Sequence, residues 1–333
     1  RGNNIALRQC KGEYVLLLNP DTVVGETVIQ SSIAFMDSHP AAGAHGVEMI
    51  DDRGRRAPES RRGLPSPSVA FYKMTGLCRR FPQHDRFAHY YMGSLPWDVP
   101  GRIEVVSGAY CFLRRSALER VGLLDEDFFM YGEDVDLSYR LLKGGCENWY
   151  LPVRILHYKG ESTQKSSFRY VHVFYEAMLI FFRKHYGGMN VLWRLPIKAA
   201  IYAKAIGSLV GMTVGTVRKK MGFRSPVAVS CPHYVFVGGE EMLRCCEQLA
   251  ADNALSAMSY VAGDEGLPSV HSALLESLVG QGGEFCVVYD TAQYSYQSIL
   301  EAFARQPQSN IHIGFYHVCE NCIITMNEII GGQ

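Results

Sequence analysis

Apolar positions along this chain fall into short continuous runs and longer helical stripes, and the two alternate. Tyr14–Leu18 is a five-residue apolar run, which suits a buried parallel strand. Thr27–Ser38 has helical spacing and ends before Pro40. Ala44–Ile50 reads as a strand turned by Asp51-Asp52-Arg53-Gly54. Ile103–Val106 reads as a strand that runs through Ser107-Gly108-Ala109 and continues as Tyr110–Arg114. Ser116–Val121 is predicted as a short helix capped by Ser116 and ended by Gly122. Glu133–Lys143 is helical and stops at Gly144-Gly145, and Trp149–His157 is the last strand of this part. Between them, residues 54–100 are rich in Arg, Pro, Gly and aromatics. That composition predicts a long irregular region, and such loops in compact domains tend to be functional.

The pattern then changes. Phe168–Tyr186 reads as an aromatic-rich helix and Val191–Lys220 as another, both mixing Lys and Arg with apolar residues. A strand at Tyr234–Val237, a Gly238-Gly239 turn and a helix at Glu240–Asp252 open a third part. Phe285–Tyr289, Ile311–Tyr316 and Cys322–Met326 read as strands, with a helix at Tyr296–Arg305. The alternation predicts an α/β class throughout, in three parts: 1–165, a basic helical stretch 166–224, and a small α/β unit 225–333. The turn at Gly238-Gly239 resembles a Rossmann-like opening but lacks the full Gly-x-Gly-x-x-Gly spacing.

Charge sharpens these boundaries. The formal net charge of zero is a cancellation. Residues 1–224 hold 31 basic and 21 acidic side chains, whereas residues 225–333 hold 2 and 12. The excess is concentrated in residues 153–224, with 13 basic and 2 acidic side chains. A basic amphipathic tract of this kind favours an anionic membrane surface, or else packs on a neighbour with a wet rim. No recognition motif accompanies it, which argues against nucleic acid. No run of eighteen uncharged apolar residues occurs, so a simple membrane span is not expected. The 10 cysteines are irregularly spaced and read as reduced thiols of a cytoplasmic protein. Cys319-Glu320-Asn321-Cys322 lacks the second pair that a zinc site needs.

Two acidic spots carry candidate chemistry. Glu133, Asp134 and Asp136 follow the aromatic run Phe128-Phe129-Met130-Tyr131. Carboxylates beside large apolar groups are desolvated, which raises a pKa and makes a general base. The bland reading is a solvated acidic helix start that complements the helix dipole. Earlier, the strand Tyr14–Leu18 ends in Asn19-Pro20-Asp21-Thr22. A carboxylate at a strand end is well placed to hold a divalent cation at the rim of a sheet.

Four blocks together resemble the inverting family 2 glycosyltransferases, most nearly their bacterial rhamnosyltransferase-like branch. They are Asn4 with Gly12 through Thr22, Val106 through Arg115, Val121 through Leu137, and His157 with Gly160-Glu161-Ser162. The resemblance spans about residues 1–190 and implies a GT-A-type fold. It implies a nucleotide-diphosphate-sugar donor such as dTDP-rhamnose, Mg²⁺ or Mn²⁺, and a single displacement with inversion. It further implies a glycan or polyprenyl-linked acceptor, cell-surface polysaccharide synthesis, and a place on the inner face of the plasma membrane. On this likeness Asp134 is the base, and Glu133 orients it or holds the acceptor together with Phe129. Asp136 is structural. Asp21 and His157 hold the metal, and Asn19 stands in the first acidic position of the family's Asp-x-Asp pattern. Asn4, Ser107 and Gly108 face the donor. The resemblance also implies that a first strand, contacting the nucleotide base, precedes Arg1. The amide at Asn19 leaves an alternative, a non-catalytic sugar-nucleotide or scaffold protein with a degenerate transferase domain.

Overall fold

The protein is described from a computed structural model that covers residues 1–158, 168–187, 202, 207, 232–262, 266–278 and 281–331. α1 (Gly2–Gln9) leads to β1 (Tyr14–Leu18) and the short β2 (Thr22–Val24). α2 (Val28–Ser38) precedes β3 (Ala42–Ile50), whose nine residues are all buried. α3 (Pro67–Met74) and α4 (Leu77–Arg80) follow, then β4 (Gly101–Ile103), β5 (Tyr110–Arg114) and α5 (Arg115–Val121). α6 (Glu133–Lys143), β6 (Glu147–His157) and α7 (Phe168–His185) complete this part.

The strands form one mixed sheet in the order β1-β5-β3-β6-β2, with β4 also on β6. Only β3 and β6 pair in parallel, and they form its central spine. β1 is not the buried parallel strand its apolar run predicts. It pairs antiparallel with β5 and is half-buried, with both faces in use. Val15 and Leu17 pack with the cluster around Leu113 and Leu141, whereas Tyr14 and Leu16 pack with Phe35 and Phe112. The continuous strand expected from Ile103 to Arg114 is two strands. β4 pairs with β6, and β5 lies between β1 and β3. The bend at Ser107-Gly108-Ala109 separates them. Ser116 caps nothing, because α5 begins at Arg115 without a side-chain cap.

The irregular segment 54–100 is more ordered than its composition predicts. Pro67 opens α3 at a position where its missing N–H costs nothing, and Ser66 Oγ caps the helix by accepting from Val69 N at 3.3 Å. The segment is stitched to the sheet where Arg62 O accepts from Glu104 N and Val105 N. That places Arg62 inside the molecule rather than in a solvated loop.

α6 is fixed by its buried Asp136, which is 0% exposed. Arg140 Nε meets Asp136 Oδ2 at 2.7 Å, while Lys184 Nζ and His185 Nε2 reach Oδ1 at 2.8 and 2.6 Å. Burial raises the pKa of this carboxyl, but those hydrogen bonds outweigh burial and hold it below the usual range. Asp136 is therefore structural, though as an ionic hub between α6 and α7 rather than as a helix cap. Ala177 and Phe181 bury the same end of α7 against Phe128. No helix among the described residues is long and apolar enough to cross a membrane. The predicted helix Val191–Lys220, the Gly160-Glu161-Ser162 block and Arg218-Lys219-Lys220 lie outside the described residues.

The third part is a second sheet with β7 (His233–Gly238), α8 (Glu240–Asp252), β8 (Ala257–Val261), α9 (Leu267–Leu278), β9 (Phe285–Asp290), α10 (Tyr296–Arg305), β10 (Ile311–His317), β11 (Cys322–Ile324) and β12 (Ile329–Gly331). Its order is β12-β11-β10-β9-β7-β8, parallel from β10 to β8. β8 and α9 are absent from the sequence reading. β8 is a short, mostly exposed strand despite its apolar Ala-Met-Ser-Tyr-Val run, and Leu267, Val270, Leu274, Leu275 and Leu278 make a helical stripe that predicts α9. Ile50, Leu156 and Tyr158 of the first part share one core cluster with α9, α10 and β9.

Two outcomes check this packing. Replacing Asp136 with Ala leaves Arg140, Lys184 and His185 without their shared carboxylate, and a loss of about 3 kcal/mol is expected in urea unfolding. At the contact between the parts, His312 Nε2 lies 2.8 Å from Glu284 and its Nδ1 bonds Asp52. The hydrogen bond to Asp52 outweighs burial, and with Glu284 it raises the His312 pKa above 6.5. The raised folded pKa means that this contribution is complete below pH 6.5 and is lost as pH rises through the higher folded value. Melting temperature should therefore fall from pH 6 upward more steeply in wild type than in His312→Gln.

Candidate active site

The two acidic spots, far apart in sequence, meet at the bend between β4 and β5. Leu18 pairs with Tyr110, and beyond that pair Asn19 N donates to Ala109 O at 3.0 Å. One residue away, Gly108 N donates to Asp134 Oδ2 at 3.2 Å. Ser107 Oγ accepts from Ala109 N at 3.4 Å and helps turn the chain. A Cβ on Gly108 would lie 3.6 Å from Asp134 Cβ, which is ordinary contact. Backbone geometry alone does not demand glycine there.

On the β1 side, three groups converge. Thr22 pairs with His157 across β2 and β6, and Tyr158 N donates to Asp21 O at 2.8 Å. His157 Nε2 then lies 3.3 Å from Asp21 Oδ1 and 3.5 Å from Asn19 Nδ2. Asp21 Oδ1 is buried and accepts no hydrogen bond within the described residues. A buried carboxylate oxygen facing an imidazole nitrogen suits Mg²⁺ or Mn²⁺, whereas the Asn19 atom nearest the imidazole is its amide nitrogen, so only a turned amide would add its oxygen to the set. Among the described residues no group of three or more His, Cys, Asp or Glu side chains could hold a metal, so this set depends on the amide of Asn19.

On the α6 side, the chain enters the helix through two left-handed residues, Tyr131 (φ +68) and Gly132 (φ +88). Positive φ is uncommon for a tyrosine and costs energy that the surroundings must hold. Tyr131 packs against the buried cluster of Phe128, Ala177 and Phe181, and a Cβ on Gly132 would come within 3.0 Å of the Phe128 ring. Phe129 turns the other way and is 79% exposed, with Met130 beside it also exposed. This turn sets Glu133 and Asp134 in the first turn of α6. Asp134 is fully engaged. Val135 N donates to Oδ1 at 2.8 Å, and Arg62 Nη2 pairs with Oδ2. Glu133 differs, because its Oε2 is buried with no hydrogen-bond partner among the described residues. Burial first, and then the charge of Asp134, push the Glu133 carboxyl up. Two adjacent carboxylates thus have different environments.

For Arg61 and Arg62 the sequence leaves two readings open, a contact to the donor diphosphate and the favoured solvated loop charge, and neither anticipates the pairing of Arg62 with Asp134. Arg62 sits beside Arg61 in a Pro-bounded, aperiodic stretch that reads as a solvated loop. Burial lowers its pKa, yet the charge of Asp134 and its hydrogen bonds with Asp134 and Tyr90 outweigh burial and raise it. Tyr90 in turn has Lys73 Nζ 3.5 Å from its ring centroid. Arg61 is separate: it lies over the Trp97 ring at 3.5 Å and is 3% exposed. Asn4 is also placed apart from these groups. It is 2% exposed, its Nδ2 donates to Leu124 O (2.8 Å) and Glu126 Oε1 (2.9 Å), and its Oδ1 accepts from Leu124 N (3.1 Å). Both polar ends tie α1 to the loop before α6.

Comparison with known proteins gives the same region. The family model described as glycosyltransferase like family 2 matches residues 1–172. N-acetylglucosaminyl-diphospho-decaprenol L-rhamnosyltransferase of Mycobacterium tuberculosis is 31% identical over 189 residues, in both strain CDC 1551 / Oshkosh and strain H37Rv. That alignment covers 56% of this chain and 59% of the relative, so the chain spans about three fifths of the curated protein it matches. Rhamnosyltransferase WbbL of Escherichia coli K12 is 26% identical over 192 residues, 51% of this chain and 68% of its own length.

The carboxylate pair gives a direct test. In Asp134→Asn the neighbouring charge is gone but burial remains, so the carbon-13 NMR titration of Glu133 should shift down and still midpoint above the ordinary 4.5. An unchanged midpoint would show that the two carboxylates do not sense each other.

Proposed function

The chain belongs to glycosyltransferase family 2, and we propose that it transfers a sugar, with inversion, from a nucleotide-diphosphate-sugar to a glycan or lipid-linked glycan acceptor. The observation that carries this is the backbone link Asn19–Ala109–Gly108–Asp134, which sets a cation-suited group beside a fixed carboxylate. The names of the relatives favour a rhamnosyl donor and, for one of them, a decaprenyl-diphosphate-linked acceptor, which agrees with the dTDP-rhamnose and cell-surface polysaccharide synthesis that the sequence resemblance implies.

The geometry supports one division of labour. A Mg²⁺ or Mn²⁺ ion held by Asp21 and His157, with Asn19 on a bound water or the ribose, would stabilise the charge of the departing nucleoside diphosphate. Ser107 and Gly108 line the bend over which the donor sugar would lie. Asp134 takes the proton of the acceptor hydroxyl as that oxygen attacks the anomeric carbon. Gly108 N and Val135 N aim its two oxygens, and the Arg62 guanidinium balances its charge until the acceptor arrives. Glu133, pushed toward its protonated form, is suited to hydrogen-bond the acceptor. The exposed Phe129 and Met130 offer an apolar surface to the acceptor ring or its lipid. Work at the cytoplasmic face of the plasma membrane fits the basic character of residues 153–224.

A second reading rests on Asn19. An amide is a weaker, neutral ligand than the acid it replaces, and a chain that binds sugar nucleotides without turning them over would tolerate it. One experiment separates the two. With dTDP-rhamnose, Mn²⁺ and a polyprenyl-diphosphate-linked acceptor, Asp134→Asn should lower the transfer rate by about 10²–10⁴-fold with donor binding intact. Asp21→Ala should weaken donor binding and abolish its sensitivity to EDTA. Donor binding without transfer in wild type supports the second reading, and an Asp134→Asn rate near wild type removes Asp134 as the base.

A further inference from the structure

We propose that the C-terminal α/β unit is a built-in support of the Asn19–Asp21–His157 group, acting through Tyr158 and Glu26 as positioning residues. This rests on the reading of that group as the cation and donor site.

The group hangs on very little local structure. β2 and β6 share only three residue pairs, Thr22 with His157, Val23 with Leu156 and Val24 with Ile155. β2 is an edge strand of three residues, and such strands are marginal on their own. A chelating group must nevertheless be held to within about 0.5 Å by locked neighbours. Within the first part, Asn19 is held by Ala109 O and His157 ends the central β6, but β2, which follows Asp21, pairs with β6 alone.

The C-terminal unit supplies the lock on both sides. Leaving the group through β6, the next residue is Tyr158. Its backbone N holds Asp21 O at 2.8 Å, and its side chain, 6% exposed, lies in the core cluster of the C-terminal unit with Val287, Ile299 and Phe315. Leaving through β2, Val23 packs against that same cluster. Two residues beyond β2, the carboxylate of Glu26 receives the first free N–H groups of α10. Oε1 accepts from Tyr296 N at 2.8 Å and Oε2 from Gln297 N at 3.0 Å. An anion at a helix N-terminus is favoured by both the unpaired donors and the dipole. Burial raises the Glu26 pKa, but these backbone donors outweigh it and hold the carboxyl below the ordinary range. Gly25 lies against the same helix, where a Cβ would come within 3.1 Å of Gln297 Cβ.

A third contact makes the docking specific. Ile313 N donates to Asp52 O at 2.8 Å, and the Asp52 side chain bonds His312. At the same turn Gly54 has φ +75, and a Cβ there would lie 2.3 Å from Phe303 O, at the far end of α10. One helix therefore spans from the turn after β3 to the loop that follows β2. Displacement of that helix would loosen both strands that present the group. Simple packing of an inert appendage would not require the Glu26 carboxylate to cap it.

Direct Mn²⁺ binding to the whole chain, followed by electron paramagnetic resonance without donor, tests this. Changes one layer out from a metal commonly cost 10–100-fold in affinity, so Glu26→Ala and Tyr158→Ala should each weaken Mn²⁺ binding by roughly tenfold. Tyr158→Phe, which keeps the packed ring, should stay near wild type. Asp21→Ala is the comparator that loses the ion. If Glu26→Ala is folded by circular dichroism and binds Mn²⁺ within twofold of wild type while Asp21→Ala does not, this inference is overturned and the site stands. If wild type and Asp21→Ala are alike, the cation reading itself falls and takes the inference with it. Glu26→Ala keeps the test open should Tyr158→Ala fail to fold.

Discussion

A single backbone hydrogen bond, from Asn19 N to Ala109 O at 3.0 Å, fixes how the two halves of the site face each other. It is the last rung of the β1–β5 ladder, which begins at Tyr14 and Arg114. A one-residue slip of that ladder would turn every β1 side chain to the opposite face. Asn19 and Asp21 would move with them. Register is held because β1 uses both faces, with Tyr14 and Leu16 on one core cluster and Val15 and Leu17 on another. On the far side of the same bend, the N–H of Gly108 reaches Asp134. Strand register and acid placement are thus one constraint.

Charge is distributed to serve that arrangement. Within four positions of α6, three carboxylates have three different environments. Asp136 is buried under Arg140, Lys184 and His185 and anchors the helix. Asp134 is held by two backbone N–H groups and Arg62, and Glu133 keeps one buried oxygen without a partner. Separated environments for neighbouring carboxylates are how one site holds groups for different proton tasks. Lys184 and His185, which belong to the basic stretch after residue 153, are spent on Asp136. Part of the charge that reads as surface character in the sequence is internal to the fold.

Much of the fold was legible because apolar runs and helical stripes are local signals. α6, α8 and α10 follow from spacing, β7 and β9 from continuous apolar runs, and β3 and β6 from apolar-rich segments broken by single polar residues. The pairing of those strands was less legible. The Tyr14–Leu18 run carries no mark that distinguishes a buried parallel strand from an antiparallel one packed on both faces. Candidate chemistry was visible as residue types, since acids at a strand end and at a helix start are unusual company for apolar runs. The pairing of Arg62 with Asp134 was not visible, because it depends on a chain segment folding back across residues 63–103 to meet Glu104 and Val105. Asn4 looked like a ligand-facing polar residue, whereas two long-range contacts consume it. The docking of the C-terminal unit on Glu26 and Asp52 has no local sequence signature.

The central claim is a single displacement run by a fixed carboxylate beside a cation-suited group. The stereochemistry of the product tests it most directly. The anomeric configuration of donor and product sugar can be read from the one-bond carbon–hydrogen coupling at the anomeric centre by NMR. A single displacement predicts that the product has the configuration opposite to the donor. Retention of configuration would require a second displacement, and would contradict the roles assigned to Asp134 and its neighbours.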